Sequence, residues 1–383
     1  MGKRGNGEGS ITRRKDGRWW GRHTVHTSEG PKQRAVYGKT RADVAAKLRK
    51  VMSEADVGLV FDSGSVTVSQ YLDGWLSDCV LPLVEAGKLE HSTHVRYAGI
   101  VRNHLVPSIG KRKLKDLGRP EVRRLYREKA KGLSPRSVDY LHVTLQKALK
   151  QAMRDDLVPR NVAEGERPRS SRSREEAKAF SADQVRALLR EAAGTRNHPL
   201  YAIAVHTGLR QGEILGLRWD DIDLDGNTPK LSVCRALKVT SEGLGFGAPK
   251  NKASRRSVRL NKSATAALKE HRLRQKEERL RAPGWRDHGL VFPNTAGGPM
   301  DHNNLYQRDY KRLLKAAGLD CQGFTFHTLR HTFATGLFLR GEHPKKVQSL
   351  LGHSSIVQTM DTYSHLIDDV GGDAVDGLDE AFG

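Results

Sequence analysis

The sequence predicts an α+β, multidomain fold: a small N-terminal β-sheet with one helix, a helical middle domain, and a mainly α C-terminal domain with a second small β-sheet. Three observations predict it. The chain has 383 residues, enough for two or three domains that each bury a core. Alternating stretches bounded by Gly, Pro and Asp occur in the first forty residues and again between Lys230 and Leu260. Most of the remainder carries apolar residues at helical spacing, broken by a polar stretch, Gly165 to Lys178, that has no periodicity and reads as a linker.

Gly9 to Thr12, Arg18 to Val25 and Gln33 to Tyr37 read as three strands, with turns at Asp16-Gly17 and Glu29-Gly30-Pro31. A helix from about Thr40 to Glu54 follows, with Val44, Leu48 and Val51 on one face. This unit is too small for an enzyme but large enough to lay a ribbon in a nucleic-acid groove. Of Trp19 and Trp20, one is expected in the core and one is free to stack. Gly5, Gly7 and Gly9 follow no strand, so they read as a flexible basic arm rather than a nucleotide-binding loop.

A link with Gly58, Asp62, Ser63 and Gly64 leads into a helical region from about Val66 to Val162. Tyr71, Leu72 and Trp75 give its first helix an apolar face, and Arg96, Tyr97, Val101 and Leu105 mark a second. Ser134 caps another, with Pro135 in its first turn and Tyr140, Leu141, Val143, Leu145 and Leu149 along it. Beyond the linker, Ser181 to Gln184 forms a capping box ahead of Val185, Leu188 and Leu189. Lys230 to Leu237 and Arg256 to Leu260 alternate as strands, and the hairpin loop between them ends in Lys250.

Thr325 to His365 reads as three short helices. Leu329, Phe333, Leu337 and Leu339 give the first an apolar face, and Gly341 ends it. Pro344 opens the second and Gly352 closes it; Ser354 is the expected N-cap of the third, whose inward stripe holds Ile356, Met360 and Tyr363. From Leu366 to Gly383 there are six acidic residues and no Lys or Arg, which reads as a solvated tail.

Charge narrows the partner. The formal net charge is +22, from 66 Lys and Arg against 44 Asp and Glu, and residues 1 to 60 alone carry 14 against 6. Such an excess repels itself unless a polyanion neutralises it, which points to nucleic acid. Cys79, Cys234 and Cys321 are far apart and lack metal-ligand spacing, so neither a disulfide framework nor a zinc site is expected. No apolar run approaches a membrane span and the first residues lack a signal-peptide core, so a cytosolic setting without a membrane partner is expected.

The last three helices concentrate His327, Arg330, His331, His353 and Tyr363. Singly, each has a plain structural reading: a satisfied core histidine, a surface cation, a core tyrosine. Upstream, Arg210 follows Gly208 at the start of a helix backed by Ile214, Leu215 and Leu217. It could pair with Glu213 or Asp220, or offer a two-pronged clamp to phosphate oxygens. Together, fixed cations, histidines and a tyrosine favour chemistry on a phosphoryl centre.

In order, spacing and identity, TGLRQGEILGLRWDDID, PKNKASRRSV, HTLRH and LLGHSSIVQTMDTYSH resemble the motifs of the tyrosine recombinase (phage integrase) family over about the C-terminal half. The resemblance implies a catalytic set of Arg210, Lys250, His327, Arg330, His353 and Tyr363. The lysine stays open between Lys250 and Lys252, because many relatives show Lys-Thr where this chain has Lys250 and Asn251. The first sixty residues resemble the arm-type DNA-binding domain that precedes many phage integrases, with Arg13, Arg14, Lys15, Arg18, Trp20 and Arg22 as the expected DNA contacts. Residues 66–164 match the helical, SAM-like core-binding domain by position, 165–178 the linker, and 179–383 the catalytic domain with its acidic tail.

That family chemistry implies that Tyr363 attacks phosphorus, forming a 3′-phosphotyrosyl link and releasing a 5′-hydroxyl. Arg210 and Arg330 would hold the non-bridging oxygens, Lys250 would protonate the leaving oxygen, His327 would exchange the proton of Tyr363, and His353 would donate to the phosphate. The covalent link conserves bond energy, so no cofactor, ATP or metal is expected. The implied partners are double-stranded DNA at core and arm attachment sites, a homotetramer whose acidic tails pack on neighbouring protomers, a directionality factor and a host DNA-bending protein. The implied setting is a bacterial cytoplasm, integrating and excising a phage or mobile element. Two other classes stay open: a type IB topoisomerase-like DNA relaxing enzyme, and a DNA-binding regulator that has lost catalysis.

Overall fold

The computed structural model describes residues 10–14, 17–27, 30–56, 66–168, 178–249 and 252–368. The chain divides into two compact units, Met1–Ser173 and Arg174–Gly383. The expected glycine arm, Lys15, the link at Gly58 to Gly64, Lys250, most of the charged linker and nearly all of the acidic tail lie outside the described residues.

In the first unit, β1 (Ser10–Arg13), β2 (Trp19–Thr27) and β3 (Gly30–Gly38) form an antiparallel sheet in that order. Helix α1 (Arg41–Asp56) covers one face, started by Thr40, whose Oγ1 accepts the Asp43 N–H at 3.1 Å. Val44 and Leu48 are buried against Gly21, where an added Cβ would lie 3.1 Å from Val44 and 3.2 Å from Leu48. Strand alternation therefore turns Trp19 toward the helix and Trp20 to the opposite face.

The same unit holds a helical bundle. Helix α2 runs from Val68–Gly74 through a π turn, Trp75–Val80, into Leu81–Glu85. Helix α3 does likewise, through His91–Ile100, Val101–Leu105 and Val106–Ile109. In both, the π turn comes just before a proline, Pro82 or Pro107, whose missing N–H removes one α-type bond. Helices α4 (Arg119–Ala130) and α5 (Pro135–Arg154) complete the bundle around Leu72, Trp75, Leu105, Leu125, Leu141 and Leu145. A capping box at Thr67 and Gln70 satisfies two backbone donors at the start of α2 and contributes about 1 kcal/mol. Ser134 caps α5 as expected, accepting from Ser137 N–H at 3.2 Å.

The second unit opens with α6 (Ala182–Ala192), α7 (His198–Thr207) and α8 (Gln211–Leu215). A three-stranded sheet orders β4 (Ile222–Asp223), β5 (Lys230–Ser232) and β8 (Ser257–Arg259); between β5 and β8 in sequence lies a hairpin of β6 (Ala236–Thr240) and β7 (Gly243–Gly247). The expected single strand Lys230 to Leu237 is thus two strands in different sheets. Its second half pairs with Gly243–Gly247, a run too rich in glycine to read as a strand from sequence. The β6–β7 hairpin turns at Ser241 and Glu242, within the chain that joins the paired strands β5 and β8.

Helix α9 (Lys262–Arg281) and α10 (His302–Asn304, Leu305–Tyr310 and Lys311–Ala316) precede the last three, α11 (Phe326–Phe338), α12 (Pro344–Leu351) and α13 (Ile356–Asp368). Ser355, rather than Ser354, serves the start of α13, accepting from Val357 N–H at 3.2 Å. The main core gathers Leu200, Tyr201, Leu215, Leu231, Leu268 and Leu329, while Phe338, Val347, Leu351 and Tyr363 form a smaller cluster that fixes α13 on α11 and α12.

Candidate active site

Two helix ends build the floor of the site. Helices α7 and α12 both stop at a glycine in the left-handed region, Gly208 at φ 61° and Gly352 at φ 64°. Neither position admits a side chain: a Cβ on Gly208 would collide with Phe333, and one on Gly352 would lie 2.9 Å from Arg256 Nη1. The carbonyls left over at these ends carry partial negative charge and attract cations.

Arginines fill that need. Arg330, on α11 and 2% exposed, donates from Nη1 to Gly208 O at 2.8 Å and from Nη2 to Leu351 O at 2.6 Å. Arg210, in the turn before α8, donates from Nη1 to Glu213 Oε1 at 2.7 Å and to Ser254 Oγ at 3.3 Å, and from Nη2 to Gly352 O at 3.2 Å. Arg256, just before β8, donates from Nε to Leu350 O at 2.6 Å and from Nη2 to Glu213 Oε2 at 2.9 Å. The buried Glu213 carboxylate thus sits between two guanidiniums and also accepts the Arg210 N–H at 2.9 Å, capping α8.

The electrostatics follow from this crowding. Burial, then the charges of Arg210 and Arg256, bring the Arg330 guanidinium down to about 9, which leaves it protonated at neutral pH. Burial raises the Glu213 carboxyl, but the hydrogen bond and charge of Arg256, followed by Arg210, outweigh it and hold the group below its ordinary value. Burial and then the charges of Arg330 and Arg210 push His353 down to about 3, so its ring is neutral. Its Nδ1 lies 2.9 Å from Thr359 Oγ1, and Gln348 Nε2 donates to its carbonyl at 3.1 Å. His327 is exposed along one side; loss of solvation on the other, then His331, Arg330 and Arg210, take it to about 4.

Tyr363 is 2% exposed and packs on Phe338, with ring centroids 5.4 Å apart. Burial raises its hydroxyl well above the ordinary phenol value. The hydroxyl lies 2.6 Å from His331 Nδ1. The residue expected to serve Tyr363 was His327; on α11 the two histidines are one turn apart, it is His331 that faces α13 here, and His327 stands edge-on to His331 at 4.8 Å between ring centroids.

Five expected site residues, Arg210, His327, Arg330, His353 and Tyr363, therefore converge through the helix ends and their shared partners. Lys250 lies outside the described residues, and Lys252 opens a short 3₁₀ turn, Lys252–Ser254, that leads to Ser254 and Arg256. Glu213, Arg256 and Thr359 were not singled out as site residues from sequence, and His331, part of the cluster read there, was left out of the catalytic set that the resemblance implies. Glu213 had a legible signal, its capping spacing three residues after Arg210; the inward turn of Arg256 in the Arg255–Arg256 pair did not.

The N-terminal candidates form a separate group. Trp20 and Tyr37 are cross-strand partners that stack at 6.4 Å and 14°, Arg22 lies over Trp20 at 4.7 Å, and Arg14 lies over Tyr37 at 5.9 Å. Arg13 is exposed and donates to Gly17 O at 3.3 Å, and Arg18 is exposed.

Comparison with known proteins gives a consistent match. Residues 178–369 fit the phage integrase family. An integrase of Streptomyces ambofaciens is 32% identical over 335 residues, covering 85% of this chain and 83% of that protein. A XerC-like tyrosine recombinase of Caldanaerobacter subterraneus subsp. tengcongensis is 31% identical over 370 residues, covering 91% and 92%. Among solved structures, the Tn1549 transposon integrase in complex with a circular intermediate DNA superposes with a TM-score of 0.63 at 21% identity, covering 80% of this chain and all of that one. A lambda integrase dimer bound to a COC′ core site gives 0.57 at 19%, covering 97% and 98%. At these identities the two structures speak to the fold.

Proposed function

The chain belongs to the phage integrase family and is a tyrosine-type site-specific DNA recombinase, and on that premise we propose how its residues divide the reaction. Tyr363 attacks the scissile phosphorus, its Oη forms the new bond, and the 5′ oxygen leaves. Arg210 and Arg330 hold the non-bridging oxygens as charge builds there. His353 donates to the same phosphate, His327 lines the approach beside Arg330, and Lys250 or Lys252 protonates the departing oxygen.

The observation that carries this reading is the fixation of Arg330 and Arg210 by the carbonyls of Gly208, Leu351 and Gly352. Donors held by backbone need little reorganisation when charge develops, which is the condition for electrostatic stabilisation of a transition state. Bond energy stored in the phosphotyrosine is returned when another 5′-hydroxyl attacks, so strand exchange needs no nucleotide.

The N-terminal sheet, within 1–60, binds arm-type sites through Trp20, Arg22 and the neighbouring cations, and the bundle, 66–164, binds the core site. Assembly is as a homotetramer on double-stranded DNA; a lambda integrase tetramer bound to a Holliday junction is a structural relative of the right kind. A directionality factor and a host DNA-bending protein set the outcome in the bacterial cytoplasm.

The test traps the covalent intermediate on a nicked duplex carrying a candidate attachment site. Wild type is expected to give a protein–DNA band on a denaturing gel and Tyr363→Phe none. A band from both proteins would move the nucleophile elsewhere, to Tyr306 or Tyr310.

A further inference from the structure

We propose that His331 is a catalytic residue that takes the proton of Tyr363 as the tyrosine attacks and returns it when the strand is resealed. The proposal rests on Tyr363 being the nucleophile. It adds the group that makes the buried phenol reactive.

The geometry is direct. Tyr363 Oη lies 2.6 Å from His331 Nδ1, with ring centroids 5.8 Å apart, across the contact between α11 and α13. Among the described residues this is the hydrogen bond of the hydroxyl. The distance is within reach for proton transfer to a general base. The charged and titratable groups that face His331 are His327 and Arg330 on its own helix and Tyr363 on α13. Burial first, then the Arg330 charge, lowers the His331 imidazole below its ordinary value. A neutral ring with a bare Nδ1 accepts the Tyr363 proton, which a protonated ring could not do. Tyr363 is buried against Phe338, so the tyrosine is held by packing and not by the hydrogen bond alone.

The step balances. As the Oη–phosphorus bond forms, the Oη proton moves to Nδ1, and the phosphorus–O5′ bond breaks with a proton delivered to O5′ by the lysine. The imidazolium then faces the phosphotyrosine. When an incoming 5′-hydroxyl attacks, its proton passes back to the lysine, the new phosphorus–O5′ bond forms, the phosphorus–Oη bond breaks and Nδ1 gives the proton back to Oη. One histidine therefore serves both directions, as a reversible strand transfer requires.

Two substitutions separate proton transfer from positioning. His331→Gln keeps a hydrogen-bond acceptor but cannot take the proton; His331→Ala removes both. Single-turnover cleavage of an attachment-site duplex is expected to fall roughly 10²-fold or more in both, the range of general base catalysis, with DNA binding in a gel shift unchanged. Added imidazole should restore part of the rate to His331→Ala, and the acid limb of the wild-type pH–rate profile, lying below the ordinary histidine range, should be missing from both variants. On a substrate with sulfur in place of the leaving O5′, which departs without a proton, the His331 defect should persist. Wild-type rate in His331→Gln would reduce His331 to a positioning residue, and faster cleavage by His331→Ala would make the contact a restraint on the tyrosine; either overturns the proposal. A covalent band from Tyr363→Phe would instead remove the reading on which it rests.

Discussion

Arginine is used in two opposite ways in the two units. Around the candidate active site the side chains of Arg210, Arg256 and Arg330 are about 29%, 6% and 2% exposed, and each is tied to carbonyls or to the Glu213 carboxylate. On the N-terminal sheet Arg14 and Arg22 are exposed and rest on the rings of Tyr37 and Trp20. The first arrangement gives up freedom of movement for fixed direction. The second leaves the guanidinium at the surface on an aromatic face, where it can exchange part of its hydration for a phosphate backbone. The buried group should set the rate of the chemistry and respond little to salt; the exposed group should set affinity and respond strongly, because surface charges are screened over about 10 Å at 0.1 M salt.

The most damaging way to test the buried half is to remove the charge that holds it together. Glu213→Gln leaves Arg256 and Arg210 facing each other without a carboxylate, and breaking a buried ion pair in this way costs about 3–5 kcal/mol. Thermal melts should show a large loss of stability. The pH dependence has a defined sign. The folded Glu213 carboxyl is held below its unfolded value, so its contribution is present above the ordinary carboxylate range and is lost as pH falls through the folded value. Wild type should therefore lose stability on acidification more steeply than the variant. Equal melting of the two proteins at neutral pH would show that the carbonyl anchors suffice.

A smaller change tests direction rather than charge. Arg210→Lys keeps the cation but cannot reach Glu213, Ser254 and Gly352 together from one ammonium. Cleavage at saturating DNA is expected to fall roughly 10²–10³-fold, the cost of losing one preorganised donor, while binding changes little. Undiminished cleavage would mean that positive charge alone is needed there.

The same contrast explains what could be read from the sequence. Local signals were legible: the capping residues Ser134 and Ser181, the helix stops at Gly341 and Gly352, and the strands around Trp19 and Trp20 all depend on residues within a few positions of one another. Contacts between distant segments were not. Nothing near Arg256 announces that it meets Leu350, ninety-four residues away, or that the glycine run after Thr240 becomes a strand once β6 is there to pair with it. The choice between His327 and His331 is of this kind. Both lie on α11 one turn apart, and which of them meets Tyr363 depends on the angle at which α13 crosses, which only the packing of Phe338, Val347 and Leu351 determines.

The exposed half of the contrast calls for the gentlest substitution. Arg22→Ala removes a cation that stacks on Trp20, a contribution of about 0.5–1 kcal/mol at an exposed site, and with it about one phosphate contact. Binding to an arm-type duplex should weaken modestly, and the slope of log affinity against log salt should become shallower by about one. The fold should be unaffected, since Val44 and Leu48 pack on the other face of β2, against Gly21. Cleavage of a core-site duplex at saturating DNA should keep its rate, because no group near Tyr363 has changed. A slower rate at saturation would mean that the exposed arginines do more than recruit DNA, and the division between fixed and mobile cations would have to be abandoned.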